Sequence, residues 1–202
     1  GNFELTELPN SVINLLNQYV PSYISVAKTT DKKPTENFTY SVHFNHPNPL
    51  TELFLPKLKI GTNSYVTGSY NSDNQQTVLN ARALKVEFAG KKFSQFYANI
   101  SSDKQKIKIS TGCQRLEIND TIGADNLALN STILNDSINW KLDWKNNSSK
   151  EYNGDFNGLI SFDNHPKIKI KLFNSQIVLA DSVWKMSEDN EVSIDTSQIN
   201  IN

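Results

Sequence analysis

One cysteine, one methionine, eight glycines and seven prolines in 202 residues are a short supply, and each shortage excludes something. With a single thiol, Cys113, there is no intrachain disulfide and no cysteine-based zinc cluster. A lone thiol is at home both in a reducing cytosol and in a bacterial periplasm. Charge of one sign is also lacking. The 20 basic and 21 acidic side chains are interspersed for a net charge of −1, so no basic stripe is present to neutralise phosphates, and nucleic acid is not an expected partner. No apolar run reaches the ~18 residues of a membrane span, and no basic segment followed by an apolar one opens the chain. Gly1 reads as a remnant of tag removal, with any signal or anchor expected upstream.

Catalytic signatures are missing too: H-E-x-x-H, G-x-S-x-G, a phosphate-binding P-loop and G-x-G-x-x-G do not occur. His43, His46 and His165 lack metal-ligand spacing, and the latter two precede prolines in turns. Glu87, Glu117, Asp143 and Asp155 fall on the polar sides of strands, where solvation explains them better than a catalytic pair does. Glu188 and Asp189 sit in an acidic turn without the spacing or central glycine of a helix-loop-helix calcium site. The expectation is a protein that is not an enzyme and holds no cofactor or metal.

What the sequence has in abundance is Asn, Ser, Thr, Ile and Lys, a mixture suited to strands with polar outer faces and Asn-bearing turns. In so Asn-rich a chain, triplets such as Asn37-Phe38-Thr39 and Asn130-Ser131-Thr132 are expected by chance rather than as glycan acceptors. Val12, Ile13, Leu16, Tyr19 and Val20 fall at three- and four-residue spacings, which predicts one amphipathic helix from about Pro9 to Tyr19, ended by Pro21. A polar linker follows over 28–37. Residues 1–37 therefore read as helix and linker, and 38–202 as one β module. Leu50, Leu53, Phe54 and Leu55 fit a short helix stopped at Pro56 that would plug one end of a sheet.

From Phe38-Tyr40-Val42-Phe44 almost to the last residue, apolar and polar positions alternate, with polar turns every eight to twelve residues. Leu84, Val86 and Phe88 are expected on one face, as are Phe96, Ala98 and Ile100. Further runs are Leu127, Leu129 and Ile133; Ile138, Trp140, Leu142 and Trp144; Tyr152, Phe156, Ile160 and Phe162; and Ile168, Ile170 and Leu172. Asn139, Lys141, Asp143 and Lys145 mark the wet side of one such strand. The prediction is all-β: a long, one-sided, mainly antiparallel sheet of about ten to twelve strands averaging near six residues, plus short N-terminal helices. Such a sheet must bury its dry face in a sandwich, in a barrel, or by curling into a trough. Trp140 and Trp144 read as a core stripe, a groove wall or a sugar-stacking platform.

Several stretches carry a resemblance. Phe44-Asn45-His46-Pro47-Asn48-Pro49-Leu50-Thr51-Glu52-Leu53-Phe54-Leu55-Pro56-Lys57-Leu58-Lys59-Ile60, Gly68-Ser69-Tyr70-Asn71, and Ala180-Asp181-Ser182-Val183-Trp184-Lys185-Met186 with the Ile-rich strands after it resemble the TamB family of translocation and assembly proteins in Bacteroidetes-type bacteria. Val183 departs from that pattern, where proline is commoner. The resemblance implies an internal fragment of a periplasmic protein anchored in the inner membrane, folded as a taco-like half-pipe with an apolar concave face. It also implies a role in moving phospholipid to the outer membrane and in outer-membrane biogenesis.

The expected partners are phospholipid acyl chains or outer-membrane protein strands, with neighbouring β modules of the same long chain. The expected lining is Phe88, Leu127, Leu129, Trp140, Leu142, Trp144, Phe156, Ile160, Phe162, Ile168, Ile170 and Leu172. Two rival readings stand beside it: a scaffold that pairs client strands at a free sheet edge, and a glycan-binding β-sandwich that uses Trp140 and Trp144.

Overall fold

The computed structural model describes residues 13, 15–24, 37–46, 51–52, 55–71, 73–120, 122–146, 152–163, 167–187, 190–195 and 198–201. Among these residues fourteen strands make one antiparallel sheet: β1 (Asn37–Phe44), β2 (Leu58–Ile60), β3 (Ser64–Asn71), β4 (Gln76–Phe88), β5 (Lys91–Ser102), β6 (Ile107–Glu117), β7 (Gly123–Leu134), β8 (Ser137–Lys145), β9 (Tyr152–Asp163), β10 (Lys167–Leu172), β11 (Ser175–Leu179), β12 (Ser182–Met186), β13 (Glu191–Ile194) and β14 (Ile199–Ile201). The main path runs β1-β3-β4-β5-β6-β7-β8-β9-β10-β13-β14 and does not close, so the sheet is a single open curled layer and not a barrel or sandwich. It forks twice. β4 pairs β3 along one half and β2 along the other, and β9 likewise divides between β10 and β11.

Period-two alternation builds this sheet because cross-strand partners share a face. Val42, Val66, Ala81, Ala98, Thr111, Leu129, Leu142 and Phe156 are successive partners across eight strands. Ile107, Ile133, Ile138, Ile160, Ile170 and Val192 form a second row from β6 to β13. Slipping any central strand by one residue would turn its whole apolar set to water, which is what fixes the register.

The helical prediction holds at residues 13 and 15–17, while its start and the linker over 28–36 lie outside the described residues. Residues 15–24 pack into one end of the curl. Tyr19, only 1% exposed, and Val20 form a buried cluster with Ile107 and Ile133, and Leu15, Leu16, Ile24, Ile100, Ile109, Ile138 and Phe162 pack around it. Polar bonds fix the docking. The Tyr19 hydroxyl donates to the Asp103 carbonyl, the Asp136 amide to the Tyr19 carbonyl, and the Ser22 amide to Asp136 Oδ1 at 2.7 Å. Of the other predicted short helix only Thr51, Glu52 and Leu55 are described; Leu50, Leu53 and Phe54 are not, nor are His165, Glu188 and Asp189.

Two expectations need correction. Among the described residues the strands number fourteen rather than ten to twelve, and β4 to β9, at 9 to 13 residues, all exceed the expected mean of about six. Leu84 does not share a face with Val86 and Phe88: it is 55% exposed while Ala83 is buried. The reason is a break in alternation that crosses the sheet. Gln95 and Asn126 adopt positive φ (52° and 51°), a conformation that reverses the side on which the following side chain emerges. Phe93 and Phe96, three residues apart, consequently touch edge to face at 6.3 Å, a contact that unbroken alternation forbids. Ala83, Phe96, Cys113 and Leu127 face inward on one side of this seam, and Arg115 and Asp125 meet outside it.

Candidate functional site

The inner face of the curl is the candidate site, built from rows of cross-strand partners. A third row, Tyr40, Gly68, Leu79, Ile100, Ile109, Ser131, Trp140, Gly158 and Leu172, lies beside the Leu129 row. These two rows and the Ile107 row contain no Asp, Glu, Lys, Arg or His. The Thr111 hydroxyl, which would otherwise be a polar blemish, donates to the Tyr97 carbonyl at 2.8 Å.

Glycines make room for the largest rings. Trp140 lies over Gly158 and Trp144 over Gly154, their direct partners, and a Cβ on either glycine would overlap the indole. The rings thus lie along the sheet rather than across the trough, covering backbone that glycine leaves bare. Trp144 stacks on Phe156 with centroids 5.7 Å apart and planes 14° from parallel, making an aromatic floor at the end away from the docked helix. Trp140 Nε1 is buried against the sheet without a hydrogen-bond partner.

Leu127, Leu129, Trp140, Leu142, Trp144 and Phe156 are neighbours on this inner face, and each is only half-buried. Ile160, Ile168, Ile170 and Leu172 continue it on the β10 arm of the second fork. Phe162 is brought beneath the N-terminal segment, its ring 4.9 Å from Tyr23, so it belongs to the filled end. Phe88 stands apart, 51% exposed beside Leu58 at the tip of β4 and beyond the break in alternation. Sequence reasoning missed Tyr40, Leu79, Phe96, Ile100, Ile109 and Cys113 as lining. Their alternation was visible; their partners across the sheet were not. Burial pushes the Tyr40 hydroxyl and the Cys113 thiol above their ordinary pKa, as expected for groups turned away from water.

Fixed charges collect outside. Lys59 pairs with Glu87 at 3.0 Å, Arg115 with Asp125 at 2.7 Å, Lys141 with Asp155 at 3.1 Å and Lys169 with Asp163 at 2.6 Å. Each is a surface pair, screened by solvent and of little weight in holding the fold. Asp143 and Asp155 are cross-strand partners, a proximity that the sequence did not predict, on the open outer face with Asp155 held by Lys141 and Asn157. His43 also points outward, its ring 6.1 Å from that of Tyr65.

Comparison with known proteins yields no match among family models, curated proteins or solved structures.

Proposed function

We propose that this chain is the β-groove module of a TamB-like protein, shielding lipid acyl chains between the inner and outer membranes without catalysing a reaction. The observation that carries the reading is the inner face: rows of large apolar side chains, free of fixed charge, left half-buried because the sheet curls without closing. A soluble domain of this length ordinarily covers such a surface. An acyl chain laid on it would gain about 0.8 kcal/mol per methylene removed from water, and the charged outer face keeps the module soluble. In this reading the protein works in the periplasm, held by an inner-membrane anchor outside the chain described, and neighbouring modules continue the groove.

The docked residues 15–24 fill one end of the curl, so the acyl-binding reach is the part floored by Leu129, Leu142, Trp144 and Phe156. The test is to purify the chain without detergent from a bacterial envelope, extract it with organic solvent and identify what is released by mass spectrometry. Phospholipid that is lost in Leu129→Asp and retained in Lys141→Asp, with both variants folded by circular dichroism, supports the groove. No phospholipid from the wild-type chain overturns it.

One observation favours the strand-pairing alternative: β12 pairs only with β11 among the described residues, and all five of its residues are exposed. A client strand would add there by main-chain hydrogen bonds. Photo-crosslinkers at Leu142 and at Val183 separate the readings, the first yielding lipid adducts and the second peptide adducts.

A further inference from the structure

The outer face carries a second feature that the groove does not use. His43, Tyr65, Arg82, Tyr97 and Gly112 are successive cross-strand partners from β1 to β6, so four of the five place an aromatic or cationic side chain in one straight row. The Arg82 guanidinium lies 5.2 Å from the centre of the Tyr97 ring, and Tyr97 in turn lies over Gly112, where a Cβ would crowd the ring. Arg82 Nη1 donates to Asn99 Oδ1 at 3.2 Å and to the Ala81 carbonyl at 3.1 Å. That holds the guanidinium plane and leaves the Nε–Nη2 edge, the one that grips a carboxylate with two parallel hydrogen bonds, facing away from these partners. No described carboxylate forms an ion pair with Arg82.

Beside this row runs a polar one in the same register: Ser41, Thr67, Asn80, Asn99, Ser110 and Asn130. The two rows enclose adjoining clefts of about 360 Å³, walled by Tyr65, Arg82, Gln95 and Tyr97, and about 460 Å³, walled by Asn80, Lys108 and Asn130; Asn99 lines both. Neither lining includes a carboxylate. Each volume falls within the ~300–1,000 Å³ usual for small-ligand clefts.

We infer that this strip is a binding site for an acidic oligosaccharide. A sugar ring offers an apolar face to the exposed ring of Tyr65, its hydroxyls match the amide and hydroxyl row, and a uronate carboxylate completes the free edge of Arg82, whose plane Tyr97 supports. Charge complementarity decides the class. Arg82 and Lys108 suit a chain with a carboxylate on some residues, whereas a nucleic acid carries one phosphate per nucleotide and needs a longer basic track.

The site lies on the face opposite the groove, so the inference is independent of lipid binding. Titration of the ¹⁵N-labelled chain with tetragalacturonate is expected to give saturable shifts confined to residues around Tyr65, Arg82, Tyr97 and Asn99. Arg82→Gln and the neutral probe maltotetraose should each weaken binding about tenfold, the loss of one charge-assisted bidentate contact. Tyr65→Ser gives a second variant that leaves the inner face untouched and should also weaken binding. Absence of saturable shifts, unchanged affinity in Arg82→Gln, or tighter binding of an eight-nucleotide oligothymidylate than of tetragalacturonate would overturn the inference.

Discussion

The indole of Trp144 rests on Gly154, its partner across the β8–β9 ladder, and occupies the space that any Cβ at Gly154 would need. A ring that size is tolerated beside a neighbouring strand only because the glycine is bare. Gly154→Ala should therefore displace the indole and destabilise the fold by about 1–3 kcal/mol, the usual range for overpacking. Chemical denaturation followed by tryptophan fluorescence reads both effects, and an unchanged midpoint would show that the ring has another place to go.

Tyr19 anchors the N-terminal segment through its buried ring and its bond to the Asp103 carbonyl. Tyr19→Ala should weaken that docking by up to about 3–5 kcal/mol, on the scale of other large-to-small aromatic truncations. The sheet itself should persist. Faster hydrogen exchange at the Asp136 amide, which bonds the Tyr19 carbonyl, and increased binding of an apolar dye are the expected signs.

The same residue gives an alkaline pH dependence. Burial, its largest cause, raises the Tyr19 pKa above 10.0, with a bond to Ser102 opposing and Asp103 adding to it. The unfolded chain then releases its proton at lower pH than the docked one. Stability from this group is complete below the unfolded value, about 10, and falls as pH rises through the folded one. Docking, measured by exchange or fluorescence, should loosen above about pH 10 in the wild type. Tyr19→Phe, which cannot ionise, should lack that loosening.

Gln95 holds a positive φ of 52° in mid-strand. Gln95→Gly should stabilise the chain by about 1 kcal/mol because glycine adopts this backbone without steric cost, and Gln95→Val should destabilise it. Thermal unfolding distinguishes the two signs. If both variants melted with the wild type, the reversal of faces at Phe93 and Phe96 would not depend on this residue.

On β12, Trp184 is 63% exposed and Val183 57%, at a strand with one partner among the described residues. Such an edge is a template for further pairing. The wild-type chain should self-associate with rising concentration in sedimentation velocity runs, and Trp184→Lys should shift it toward monomer. Equal behaviour of the two would place any association elsewhere.

Much of the fold was legible because side chains in strands alternate with period two. Ile138, Trp140, Leu142 and Trp144 required no structure to be placed on one face, whereas the N-terminal helix, expected to run to Tyr19 and stop at Pro21, ends at Asn17 with a turn at Gln18 and Tyr19. Leu84 was misplaced because positive φ at Gln95 and Asn126 leaves no mark in composition when the residue is not glycine. For the site, half the wall was readable as runs on single strands. Tyr40, Leu79, Ile100 and Ile109 were not, since nothing along the chain says that β1 would lie in line with β8 through a row of five intervening partners.

The sequence by itself determined that this protein is a one-sided antiparallel sheet, because local alternation is a property of neighbouring residues and survives without any knowledge of contacts. Only the tertiary structure decided that the sheet stays open, forks at β4 and β9, and takes residues 15–24 into one end. It alone also aligned His43, Tyr65, Arg82 and Tyr97 outside and stacked Trp144 on Phe156 within. Register, curl and docking depend on which distant strands meet, and those choices are settled by summed packing over the whole sheet rather than by any one segment.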